Sequence, residues 1–167
     1  AVRSPMNGNR KYSFLSYVFL FHAFSLLGCA VEILIQLITN GDLSGILMPF
    51  MPWVPIYGLY GILILLIVKH VYDKPVLAFL LNFLIYSLLE YFISAASELA
   101  FGYIPWDYSG YFLNINGRVY AGGSVSVALL GCAFLYYFAP RWTDLFLKLK
   151  KGYRILLCTV LTLLFAA

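Results

Sequence analysis

Apolar runs separated by short polar breaks make up almost the whole of this 167-residue chain. They lie at about 12–39, 56–71, 76–101, 119–138 and 155–167. A helix needs about 20 mostly apolar residues to cross a bilayer, and the longer runs meet that length outright. The pattern predicts an all-α integral membrane protein, a five-span helical bundle in which residues 12–167 form a single transmembrane domain behind a polar tail at 1–11. The chain opens on Ala1 and stops within an apolar run, so the fifth span is expected to be cut short. The break after the first run differs from the others. It reads NGDLSGILMPFMPWVPIYGLYG, with Pro49, Pro52 and Pro55 within seven residues, which a regular helix does not tolerate. It is also too apolar for a solvated loop. We read it as a re-entrant or interfacial segment, because non-helical backbone at membrane depth persists only under protein or beside a watered cavity.

Composition narrows the function classes. The chain is 63% hydrophobic and 11% charged, against about 25% charged for a soluble domain. No length is left for a soluble catalytic or nucleotide-binding domain. The net charge of +4 does not point to nucleic acid, because ten of the eleven Lys and Arg residues fall in alternate breaks and Arg118 alone in the others. Positive residues mark the cytoplasmic side, so the chain is expected to be a multi-pass cell-membrane protein with its N-terminus in the cytoplasm. The basic segment from Lys148 to Arg154 then faces anionic headgroups of the lipid bilayer. Cys29, Cys132 and Cys158 fall in separate runs without a Cys-x-x-Cys, which suits small packing residues rather than a disulfide, metal or redox role. His22, a single histidine on an apolar helix, reads as packed or hydrogen-bonded rather than as a metal ligand.

Ionisable groups in hydrocarbon are costly and so mark candidate sites. Glu32 lies in the first run. The third carries Glu90, Ser94, Ser97 and Glu98, and at about 100° per residue these share one side of a helix. Trp106, Asp107, Tyr108 and Arg118 follow in the next break, where Asn114, Asn116 and Gly117 suit a turn that aims Arg118 inward. On the orientation above, Glu32, Glu98, Asp107 and Arg118 converge at the outer half of the membrane and Glu90 lies deeper, near the midplane. A carboxyl at that depth is expected to hold a proton or to bind a cation. Tyr57, Trp106 and Tyr108 suit either an interfacial aromatic belt or the wall of a cavity.

An ordered set of motifs adds to this reading: Gly28-x-x-x-Glu32, MPWVPIYGLYG at 51–61, Leu89-Glu90-Tyr91, Ser94-x-x-x-Glu98, Phe101-Gly102, Trp106-Asp107-Tyr108-Ser109 and Asn114-Ile-Asn-Gly-Arg118. Over about residues 28–125 the chain resembles the family catalogued as putative ABC-transporter type IV, a group of small bacterial membrane proteins. The resemblance implies a permease-like component. The chain holds no Walker A motif, so an ATPase would be a separate subunit. The family motif residues carried over are Glu32, Pro55, Tyr57, Gly58, Glu90, Glu98, Trp106, Asp107, Tyr108, Gly117 and Arg118.

Three functions remain open at this point. The first is a permease or substrate-binding membrane component of a transporter, as a single chain or a homo-oligomer, with an outward-side polar pocket drawing on Glu32, Tyr57, Glu90, Ser94, Glu98, Trp106, Asp107, Tyr108 and Arg118. The second is a membrane-embedded enzyme acting on lipid or a lipid-linked substrate, with Glu98 or Asp107 as base and Arg118 holding a phosphate. The balance is against it, since no Ser-His pair, metal-ligand cluster or cofactor motif is present, and no catalytic residue is assigned. The third is a structural or regulatory membrane protein in which Glu98, Asp107 and Arg118 form a buried ion-pair clamp.

Overall fold

The computed structural model describes residues 11–41 and 53–167. The stretch at 42–52, which includes Pro49 and Pro52, lies outside the described residues, as does nearly all of the polar tail. The described chain is mainly helical, with one short hairpin and the loop at 102–113 that leads into it. Helix α1 (Phe14–Asn40) is followed by α2 (Pro55–Ile67), which tightens into a 3₁₀ turn at Val68–Val71, and by α3 (Pro75–Phe101). Strands β1 (Asn114–Ile115) and β2 (Val119–Tyr120) form the antiparallel hairpin. Helix α4 (Ala121–Ala133) runs through a π-helical turn at Phe134–Phe138 into α5 (Ala139–Leu147), and α6 (Lys151–Ala166) closes the chain.

Three helical stretches are long and apolar enough to cross a membrane: Phe14–Ile38, Pro75–Phe101 and Ala121–Leu147. The run beginning at Pro55 forms a shorter apolar helix, Pro55–Val71, and α6 has 16 residues. Ser13 caps α1 through its side chain, and Pro75 opens α3. Both are standard start signals. The run expected to end at Phe138 instead continues as helix to Leu147. Pro140 lacks an amide donor, and its ring would press on the Tyr136 carbonyl in a regular helix. The wider π turn immediately before it takes up that misfit.

The chain forms two compact units, one comprising Leu63–Tyr137 and the other built from the described residues of 10–62 with Phe138–Ala167. In the first, α3 packs on α4. Its buried residues are Ala78, Asn82, Tyr86, Glu90 and Ser94, one every fourth position. That spacing drifts only about 40° per step and lines one ridge of the helix. The facing buried positions of α4 are Ser124, Ala128 and Gly131, small enough for close approach. Leu80, Leu84, Leu88 and Phe92 stay exposed on α3, as a lipid-facing surface requires.

In the second unit, α1 meets the start of α2 almost backbone to backbone. A Cβ on Gly28 would lie 2.3 Å from the Tyr57 ring, and one on Gly61 would lie 2.2 Å from the Phe24 ring. On Gly58 it would lie 2.2 Å from Ser25 Oγ and 2.6 Å from the Phe21 carbonyl oxygen. The Val54 amide donates to the Ser25 carbonyl at 3.2 Å. On the other side of α1, Phe19 stacks on Phe146 of α5 at 4.5 Å, and Cys158 of α6 donates its thiol to the Leu15 carbonyl at 3.5 Å.

Gly58→Ala forces a methyl group onto the Phe21 backbone and should destabilise the protein by about 1–3 kcal/mol, the usual cost of overpacking. Gly152→Ala, where nothing lies within 4 Å, should be neutral or gain up to about 1 kcal/mol from reduced chain entropy. Thermal unfolding in detergent distinguishes the two, and equal melting temperatures would refute the close contact of α1 with α2.

Candidate functional site

The hairpin after α3 is built around Asn116 and Gly117. Both have positive φ, 53° and 68°, as a type I′ hairpin turn demands. The Arg118 amide closes the turn on the Ile115 carbonyl at 3.0 Å. Because the ladder pairs Ile115 with Val119, Arg118 is the extra residue between turn and ladder, and such a bulge re-aims a side chain. Further bonds fix the loop. Asn114 Nδ2 donates to the Tyr111 carbonyl at 2.9 Å while its Oδ1 accepts from the Gly117 amide at 3.1 Å. Trp106 Nε1 donates to the Arg118 carbonyl at 2.7 Å, and the Tyr108 amide donates to the Gly117 carbonyl at 2.7 Å. The Tyr108 ring lies 4.7 Å from that of Tyr120.

Arg118 reaches α3. Its Nη1 donates to Ser94 Oγ at 3.0 Å, its Nη2 pairs with Glu98 Oε2, and its guanidinium lies 5.6 Å from the centre of the Tyr91 ring. The hydrogen bond to Glu98 holds the guanidinium above its ordinary value. Glu98 is 47% exposed, so water screens the pair, and its worth is that of a surface bridge rather than a buried one. The contact fixes direction more than it adds stability.

Asp107 stands apart from this group. Its Oδ1 accepts from the Ser109 amide at 2.9 Å, the local turn that aspartate favours. That bond holds its carboxyl below the usual carboxylate range. The same Oδ1 would lie 2.8 Å from a Cβ on Gly117, so the Asp107 turn and the Gly117 turn fit only in the absence of a side chain there. In the other unit, Tyr57 donates its hydroxyl to Glu32 Oε1 at 2.5 Å.

Glu90 belongs to the α3 seam. It is the sixteenth of 27 residues in the helix, 4% exposed, and accepts from the Tyr86 hydroxyl at 3.3 Å. Toward the N-terminal end of α3 the contact with α4 is also polar. Ser87 donates to Ser124 at 2.8 Å, and Asn82 donates to Cys132 Sγ at 3.4 Å. Beside the seam, a hollow of about 430 Å³ opens between α3, the hairpin and the start of α4. Its lining is mainly apolar, with Phe83, Leu88, Val119 and Tyr120 prominent.

Sequence reasoning did not single out Ser87, Ser124 or Tyr86, and it named Tyr91 only within the Leu89-Glu90-Tyr91 motif, without a role. Tyr91 had a usable signal, since at about 100° per residue it lies within about 20° of Glu98 on the helix. It underlies the Arg118 guanidinium and accepts from Asn116 Nδ2 at 2.9 Å. Ser87 and Ser124 meet across two helices and carry no mark in a single sequence.

Apolar spanning helices with a polar seam between α3 and α4 define a helical membrane protein. Residues 19–167 match the family described as putative ABC-transporter type IV, and the chain belongs to that family. No curated protein and no solved structure matches it.

The pH dependence of the loop follows from Asp107. A carboxyl with a depressed folded value contributes stability that is whole above its unfolded value of about 3.9 and is lost as pH falls through the folded value. Trp106 emission should therefore hold steady from neutral pH down to about 4 and change below it. Asp107→Asn should remove that acid transition, and an unaltered transition in this variant would show that Asp107 does not organise the loop.

Proposed function

We propose that this chain is the membrane-embedded, non-ATPase component of an ABC-type transport system, crossing the cell membrane five times with its N-terminus in the cytoplasm. The family supports the transport context, and the observation that carries the reading is Glu90. A carboxyl buried at the middle of a spanning helix is an expensive feature that simple packing would avoid. Its bond with Tyr86 and its place between Tyr86 and Ser94 on the buried ridge of α3 suit a group that takes up and releases a proton or a cation as α3 and α4 shift against each other. Arg118, with Ser94, Glu98 and Tyr91, keeps the hairpin seated on α3 during that movement.

The same proposal takes the first connection as re-entrant. Trp53 and Val54, immediately before α2, bond to His22 and Ser25 of α1. Ser25 lies roughly 22 Å back along α1 from Asn40 at 1.5 Å per residue, so α2 starts near mid-depth. A lipid-directed enzyme is less well supported, because the two carboxylates it would use as base are engaged, Glu98 by Arg118 and Asp107 by the Ser109 amide.

Affinity purification of the full chain from native membranes should bring down a Walker A-containing ATPase subunit in fixed ratio. Glu90→Gln should leave that complex assembled and its melting temperature unchanged while lowering ATP turnover in vesicles. A chain that purifies alone, or unchanged turnover in Glu90→Gln, would contradict the proposal. Topology has its own test, in a background without native cysteines. Ser109→Cys should react with an impermeant maleimide on intact cells and Gly152→Cys only after permeabilisation, and the reverse pattern would overturn the orientation.

A further inference from the structure

His22 is 2% exposed, and both of its ring nitrogens are engaged. Trp53 Nε1 lies 3.1 Å from Nδ1, and Thr162 Oγ1 lies 3.1 Å from Nε2. The direction of each bond can be worked out. An indole N–H only donates, so Nδ1 must be the acceptor. Thr162 spends its single hydroxyl proton on the Cys158 carbonyl at 2.8 Å, so its oxygen can only accept from Nε2–H. His22 is thereby fixed as the neutral Nε2–H tautomer, in a chain running from Trp53 through His22 and Thr162 to the Cys158 carbonyl. That chain ties three parts of one unit together: α1, the residues entering α2, and α6.

We infer that His22 is a proton-sensitive latch, which joins the entry of α2 to α6 when neutral and releases Trp53 when it takes a second proton. An imidazolium donates at both nitrogens. Its Nδ1–H would face the Trp53 N–H, donor against donor, and the indole has no acceptor to offer in return. The Thr162 bond survives protonation, so release is confined to Trp53. Among the described residues that line the space beside the ring, none carries a charge to offset the change. The hollow of about 350 Å³ beside the ring is lined by Tyr17, Val18 and Phe21 from α1, Ile62 from α2, and Thr162 and Phe165 from α6. Tyr17 is the only titratable group besides His22 in that lining, and Cys158 turns its thiol to the Leu15 carbonyl. The inference does not depend on the transport reading, since it rests on hydrogen-bond polarity alone.

The test follows the Trp53 indole ¹⁵N–H signal of the full chain in lipid nanodiscs between about pH 8 and 5, the range in which histidine switches. Trp53→Phe assigns the signal. In the native chain it should move from a hydrogen-bonded to a released position with the same midpoint as the His22 ring signals. His22→Asn sets an uncharged acceptor near the Nδ1 position, and there the Trp53 signal should stay bonded at every pH. A Trp53 signal that stays fixed while His22 titrates, a His22 that does not titrate in this range, or a His22→Asn chain that titrates like the native one would each overturn the latch. Loss of folding in His22→Asn does not touch the native titration, which decides the matter by itself.

Discussion

The rest of the structure depends on one constraint: the buried ridge of α3 is polar, in a helix that must lie in hydrocarbon. Asn82, Tyr86, Glu90 and Ser94 recur every fourth residue, and turning these polar groups to lipid is costly. The helix is therefore obliged to find a partner along its whole length. α4 meets that need with Ala128 and Gly131, which permit close approach, and with Ser124 and Cys132, which take up the Ser87 and Asn82 donors. The seam holds the two helices in one register, because a shift of one residue would turn every polar group away from its partner.

The hairpin obeys a different balance. Arg118 and Glu98 meet where water reaches them, so their attraction is largely screened. What the contact supplies is orientation, and it is prepared by the loop itself. Asn116 and Gly117 fold the turn, Asn114 and Trp106 brace it, and the bulge at Arg118 directs the side chain to Ser94 and Glu98. Charge at the surface and polarity in the seam thus have separate tasks, although both use residues of α3.

Much of the fold was legible because spanning helices depend on little beyond length and hydropathy. The ends of α1 and α3 follow from Ser13, Pro75 and the apolar runs. The run of α4 into α5 was not legible. The apolar run ends at about Phe138, and the π turn before Pro140 lets the helix pass, a local accommodation that no periodicity reveals. On α3, spacing places Glu90, Ser94 and Glu98 on one side, but it cannot show that the side is divided. Glu90 turns into the α4 seam and Glu98 toward the hairpin, with Ser94 serving both. Partners far apart in sequence, such as Ser87 with Ser124 or His22 with Thr162, depend on packing and leave no trace in one chain.

The central claim is that the polar ridge of α3 is closed against α4 in the resting protein. The most direct measurement replaces Ser87 and Ser124 with cysteine in a chain whose native cysteines are changed to alanine, and follows both thiols in native membranes. Because the two hydroxyls lie 2.8 Å apart, at the edge where the seam borders the hollow, the account predicts a disulfide in high yield on mild oxidation. Ready labelling of both positions with no disulfide would mean an open, watered cavity along α3, and would contradict it.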